Sequence, residues 1–161
     1  MAAYLIWGAM PWYFGRLAPA DAGEILAHRI FWSALLCLVA VVLAGRASSL
    51  ARALRSWRRL ALVGAAAVLI AANWTIYLIA VTSGRVAEAA LGYFLNPLVS
   101  VGLGLVVLGE RLRPLQWAAV GTGAAGAAYL SLAAGGPSWI ALGLAVSFGL
   151  YGLLKKRIGV N

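Results

Sequence analysis

Acidic side chains are scarce: four stand against thirteen lysines and arginines in 161 residues. Charged residues of both signs make up only 11%, where a soluble domain carries about a quarter. Such a chain cannot cover its own apolar surface with polar groups, which excludes an ordinary soluble domain. The single cysteine, Cys37, lies in an apolar run, so an internal disulfide and a thiolate metal site are both excluded. No H-E-x-x-H, G-x-S-x-G or Walker sequence is present, which removes the signatures of zincins, serine hydrolases and P-loop NTPases. The four acids, Asp21, Glu24, Glu88 and Glu110, all fall near the ends of apolar segments, so no catalytic carboxylate pair emerges. The chain therefore reads as a non-enzyme without a cofactor or metal. The opening residues lack a basic n-region, which argues against a cleaved signal peptide. The first apolar stretch is also short for a span, so a misassigned or truncated start is expected.

What is present is hydrophobic. Apolar residues make up 64% of the chain, and mean hydropathy is +0.94. Six apolar segments run roughly over 2–15, 24–44, 60–82, 87–109, 115–134 and 138–154. Most are long enough to cross a bilayer as helices. Barrel strands would be about 9–11 residues long and half polar, which these are not. The expected fold is an all-α polytopic bundle of six transmembrane helices with the lipid bilayer as its solvent.

Positive charge follows every second segment. Arg46, Arg52, Arg55, Arg58 and Arg59 come after the second, Arg111 and Arg113 after the fourth, and Lys155, Lys156 and Arg157 after the sixth. The opposite side holds Arg16 and Arg85. By the positive-inside rule the ten-residue side is cytoplasmic, and so are both ends of the chain. The net charge of +9 then reports topology rather than nucleic-acid binding. Within LARALRSWRRL, Leu50, Leu54 and Trp57 are spaced as one face of a short interfacial helix; a plain basic loop fits equally well. A faint repeat places an aromatic-Gly pair eight residues before arginine at Trp7-Gly8/Arg16 and at Phe148-Gly149/Arg157. An odd number of segments between the copies inverts the second one, as in secondary transporters.

The second segment opens with EILAHRIFWS. Glu24 and His28 share a helix face, and Arg29 lies deeper. A charge inside a membrane needs a partner or water, so Arg29 is expected to face the bundle interior; snorkelling or pairing with Glu24 is the structural alternative. In ANWTIY, Asn73 and Tyr77 share a face beside Trp74. Helix–helix glue and substrate contact are equally open for Asn73. In the fourth segment Glu88, Gly92, Asn96, Ser100 and Gly104 recur every four residues as one polar and small stripe. Pro97 has no N–H, which frees the Tyr93 carbonyl beside Asn96 as an acceptor or leaves a sealed kink. Glu88 could pair with Arg29 or with Arg85. The fifth segment is nearly all small, with Ala119, Gly123 and Ala127 in one row and Thr122 and Gly126 in another. It reads as a scaffold helix or a homodimer surface.

EILAHRIFWS, ANWTIYLIAV, EAALGYFLNPLVSVGLGLVVLGERLRPLQW and ALGLAVSFGLYGLLKKR together resemble the RarD subfamily of EamA transporters, in the drug/metabolite transporter superfamily. The likeness covers nearly the whole chain. It implies ten helices in two inverted five-helix repeats. Residues 1–134 would form the first repeat, and 138–161 would begin a second, truncated one. A transport path between the repeats would be incomplete in this chain alone.

The expected function is an inner-membrane secondary transporter (permease) of a small metabolite or drug-like solute in a bacterial plasma membrane, working by alternating access. Arg29 would contact an anion or carboxylate. Asn73, Tyr77 and Asn96 would orient substrate, with His28 close by, and Trp7, Trp74 and Tyr93 would line the cavity. Glu24, His28 and Glu88 are the candidates for a coupling proton. The alternatives are a non-transporting membrane scaffold or assembly subunit, and a broken copy lacking its second repeat.

Overall fold

The computed structural model describes residues 2–17, 19–133 and 135–158. The repeat boundary expected at residue 134 and the residues from 159 onward lie outside it, as does the side chain of Arg157. Every described element is a helix: α1 Ala2–Arg16, α2 Ala22–Leu43, α3 Ala47–Leu54, α4 Trp57–Thr82, α5 Val86–Leu108, α6 Pro114–Ala133 and α7 Trp139–Ile158. The protein is a polytopic helical membrane protein, as the hydropathy implies.

The helix ends follow from local chemistry. Asp21 caps α2, its carboxylate accepting from the Gly23 N–H at 2.8 Å, which satisfies a donor that the first turn leaves unpaired. Gly84 and Gly109 end α4 and α5 with φ of 74° and 64°. Only a residue without Cβ adopts that conformation cheaply. The following N–H groups then turn back, Arg85 to the Ala80 carbonyl at 2.7 Å and Glu110 to the Gly104 carbonyl at 3.2 Å. Pro114 opens α6 at the one helical position where a missing N–H costs nothing.

Four helices, α2, α4, α5 and the Trp139–Lys156 part of α7, have the length and composition of membrane spans. Two of the six expected spans fall short by that measure. α1 has 15 residues, below the roughly 17–25 that a span uses. α6 has 20 residues, but its glycines and alanines dilute its hydropathy. Geometry nevertheless requires α6 to cross. The start of α5 meets the start of α7 at Glu88 and Ser138, and their far ends meet at Glu110 and Lys156. Two parallel neighbours need a return helix between them, and 20 residues rise about 30 Å.

The basic stretch after α2 does fold as a helix, α3, of eight residues. Its boundary corrects the sequence expectation at one residue: the chain breaks at Arg55 and Ser56, and Trp57 opens α4 instead of completing the face of Leu50 and Leu54.

Packing is concentrated in α4, α5 and α7. The buried core gathers Phe14, Ile25, Tyr77, Leu78, Val81, Ala89, Ile140 and Leu144. The small stripe of α5 faces α7. A Cβ on Gly92 would stand 2.9 Å from the Leu144 Cβ and 3.1 Å from the Ala141 Cα, so the two backbones approach as closely as glycine allows. α6 leans on α5 through Ala127, which is buried, and through Gly123 and Gly126, which face Leu98 and Phe94. Most of the rest of α6 and nearly all of α2 beyond Arg29 are exposed, as helix faces in contact with lipid are.

Candidate functional site

The site is built where α1, α2, α4 and α5 converge. Trp7 and Phe14 are seven residues apart on α1 and share a face. Both rings meet Trp74 of α4, with centroids 5.9 and 6.2 Å away. Trp74 stacks edge-on with Tyr77 at 5.3 Å, and Tyr77 meets Phe14 at 6.2 Å and Tyr93 of α5 at 5.8 Å. Five aromatic rings from three helices thus form one connected wall. Edge-to-face contacts of this kind add to the area that they bury.

Arg29 completes the wall. Its guanidinium carbon lies 3.4 Å from the centre of the Trp74 ring and 5.8 Å from that of Phe14. The side chain is half-buried and points into the bundle rather than toward a lipid surface. Arg29 is seven residues into α2, about 10 Å below the helix start. At that depth a cation needs compensation, and the π faces supply part of it. Stacking occupies the flat face of the guanidinium and leaves its N–H edge available.

Two open crevices flank this wall. One, of about 460 Å³, lies between α1 and α2 and is lined by Met10, Tyr13, Phe14, Leu17, Ala20, Glu24, Ile25, His28, Arg29 and Trp32. The other, of about 480 Å³, is lined by Trp7, Pro11, Tyr77, Val86, Ala89, Ala90 and Tyr93. The structure therefore brings Arg29, His28 and Glu24 to one crevice, Trp7, Tyr77 and Tyr93 to the other, and Trp74 between them.

The remaining sequence candidates stand elsewhere. Asn73 is buried and its Nδ2 donates to the Leu144 carbonyl and the Ser147 hydroxyl of α7, each at 2.9 Å. Of its two open roles, this geometry is the interhelical one. Asn96 is buried without lining either crevice, and its Oδ1 has no hydrogen-bond partner among the described residues. Glu88 takes Arg85, not Arg29. The pair is bidentate, with Nη2–Oε2 at 2.8 Å, and the Ser138 hydroxyl donates to the same carboxylate.

Sequence reasoning missed Phe14, Ser138 and Ser147. Phe14 had a usable signal in its spacing from Trp7. The two serines had none, because their partners lie 50 and 74 residues away.

A family model described as the EamA-like transporter family matches residues 1–132. The chain is 44% identical over 159 residues to Protein RarD of Streptomyces exfoliatus, a match covering 99% of this chain and 50% of that protein. It is 41% identical over 161 residues to Protein RarD of Escherichia coli (strain K12), covering 100% and 54%. It is 40% identical over 158 residues to the Uncharacterized transporter YojE of Bacillus subtilis (strain 168), covering 96% and 53%. The chain spans about half the length of these curated relatives. No solved structure matches it.

Proposed function

The chain belongs to the EamA-like transporter family, in its RarD subfamily, and from that premise we propose that it moves a small metabolite or drug-like solute across the bacterial inner membrane by alternating access. The observation that carries this reading is Arg29. A cation about 10 Å deep in a span, stacked on Trp74 and opening onto a crevice, is expensive as structure and useful as a binding group. Its free N–H edge takes a carboxylate or another anion, and the aromatic wall takes the apolar part of the same solute. Of the three coupling-proton candidates, Glu24 and His28 reach the crevice. The Glu88 carboxylate is already engaged by Arg85 and Ser138.

In this reading residues 1–134 are the first repeat, and 138–161 open a second, inverted repeat. The route runs between the two. The basic loops face the cytoplasm, as do both ends of the chain described here.

The test is efflux from vesicles. Inner-membrane vesicles bearing the protein are loaded with a bacterial metabolite extract, and released solutes are identified by mass spectrometry. Wild-type vesicles release at least one solute that vesicles with Arg29→Ala retain, although both contain equal amounts of inserted protein. Identical release profiles would overturn the assignment. Repeating the efflux with and without a pH gradient tests proton coupling, and equal rates would end it.

A further inference from the structure

We infer that the elbow formed by α3 and the start of α4 is a docking site for anionic phospholipid. Its arginines hold the lipid phosphates, and Leu50, Leu54 and Trp57 enter the acyl region beside them.

The elbow carries positive charge that the protein does not answer. Arg46, Arg52, Arg55, Arg58 and Arg59 are all exposed. Arg52 donates back into α3, to the Ser48 carbonyl and the Ser49 hydroxyl. The side chains of the other four have no hydrogen bond, ion pair or cation–π contact among the described residues. No acid is placed to supply one. Residues 25–87 contain neither aspartate nor glutamate. Asp21 and Glu24 stand at the start of α2, and Glu88 follows the end of α4, so all three lie across the membrane from α3. Glu110 is on the same side and is engaged by Lys156 at 3.1 Å.

Position decides what answers the charge. Residues 44–46 join α3 to the span α2, and residues 55 and 56 join it to the span α4. The helix is therefore tethered at the bilayer surface. Leu50 and Leu54 are four apart and share a helix face. They are 37% and 55% exposed, and Trp57 at the head of α4 is 78% exposed. Bare leucine and tryptophan beside guanidinium groups at a membrane surface are the makings of an interfacial helix. A nucleic acid or an acidic protein would answer the arginines and leave those apolar side chains in water. An anionic phospholipid answers both. Its phosphodiester accepts charge-assisted hydrogen bonds from the planar guanidinium fork, and its acyl region covers the leucines and the indole. The site also bears on α2. From Phe31 to Leu43 that helix is exposed except at Val41, so lipid held at the elbow steadies an end that packing leaves loose.

The test counts bound lipid. The full chain is purified in dodecyl maltoside and mixed with equal amounts of phosphatidylglycerol and phosphatidylcholine of the same acyl chains. Retained lipids are then counted by native mass spectrometry. Wild-type protein is expected to keep about tenfold more phosphatidylglycerol. The variant Arg55→Gln/Arg58→Gln/Arg59→Gln should bring the two lipids within about twofold. The control Arg111→Gln/Arg113→Gln/Lys155→Gln removes as much charge from the same side and should keep the wild-type preference. Potassium phosphate in place of potassium chloride at matched ionic strength should not displace the lipid. Equal retention of both lipids by wild-type protein would overturn the site without recourse to any variant. Equal loss of preference in the two triple variants would overturn it too, by making net charge the cause. Displacement by inorganic phosphate would replace the lipid with a free anion as the occupant and so contradict the proposal.

Discussion

The seam that α7 makes with α4 and α5 and the α1–α2 crevice are made of opposite materials. The seam uses glycine, alanine and short polar groups, buried and, apart from the Asn96 Oδ1, bonded within the protein. Gly92 lies against Leu144 and Ala141, Asn73 is bonded across to Leu144 and Ser147, and ion pairs or hydrogen bonds close both ends. The crevice uses large rings and charges that form no ion pair among the described residues. Polar groups in a membrane are tolerated when they are paired or when they face water or a ligand. The seam takes the first course, and in the reading proposed here the crevice takes the second. This difference separates a part built to hold from the part proposed to bind.

Four substitutions probe that division, ranked by expected cost to stability. Gly92→Leu should do most damage, because its new atoms meet the Ala141 backbone as well as a side chain. Overpacking of this kind costs about 1–3 kcal/mol. The melting temperature in detergent should fall clearly, whereas Gly8→Ala, with open space around it, should leave it unchanged. Asn73→Leu removes two interhelical hydrogen bonds, at about 1 kcal/mol on the membrane scale. A smaller fall in the same melt is expected, with transport retained.

Arg29→Gln inverts that pattern. It loses a cation–π contact and also relieves a buried charge, so stability should stay within about 1 kcal/mol. Solute efflux should drop at least tenfold in the same preparation. The smallest effect belongs to Lys156→Ala. The pair with Glu110 is exposed on both sides, and such pairs contribute about 0–1 kcal/mol. If Asn73→Leu abolished transport while Lys156→Ala unfolded the protein, the division would be wrong.

Much of the seam was legible before any coordinates. Period-four recurrence of Glu88, Gly92, Asn96, Ser100 and Gly104 marks one helix face by geometry alone, and that face does meet α7. Depth and charge likewise forced Arg29 inward. Hydropathy gave the helices but blurred two of them, because α6 is apolar through small residues and α1 is short. It also ran the short basic helix into Trp57, since a break at Ser56 has no strong sequence mark. Partner choice was the illegible part. Glu88 had two arginines within its pattern, and only the fold shows that Arg85 takes it. Asn73 had two roles open until Ser147 appeared beside it. Contacts between residues 50 or more apart are set by packing, which no local window contains.

The central claim is that the side chain at position 29 meets an aqueous crevice rather than lipid. It is tested most directly by placing a cysteine there, in a background where the one native thiol, the exposed Cys37, is replaced by serine. Intact cells are treated with a charged, membrane-impermeant thiol reagent and with a lipid-soluble maleimide. The account predicts labelling by the charged reagent, slowed when solute is added. Labelling by the lipid-soluble reagent alone, indifferent to solute, would contradict it.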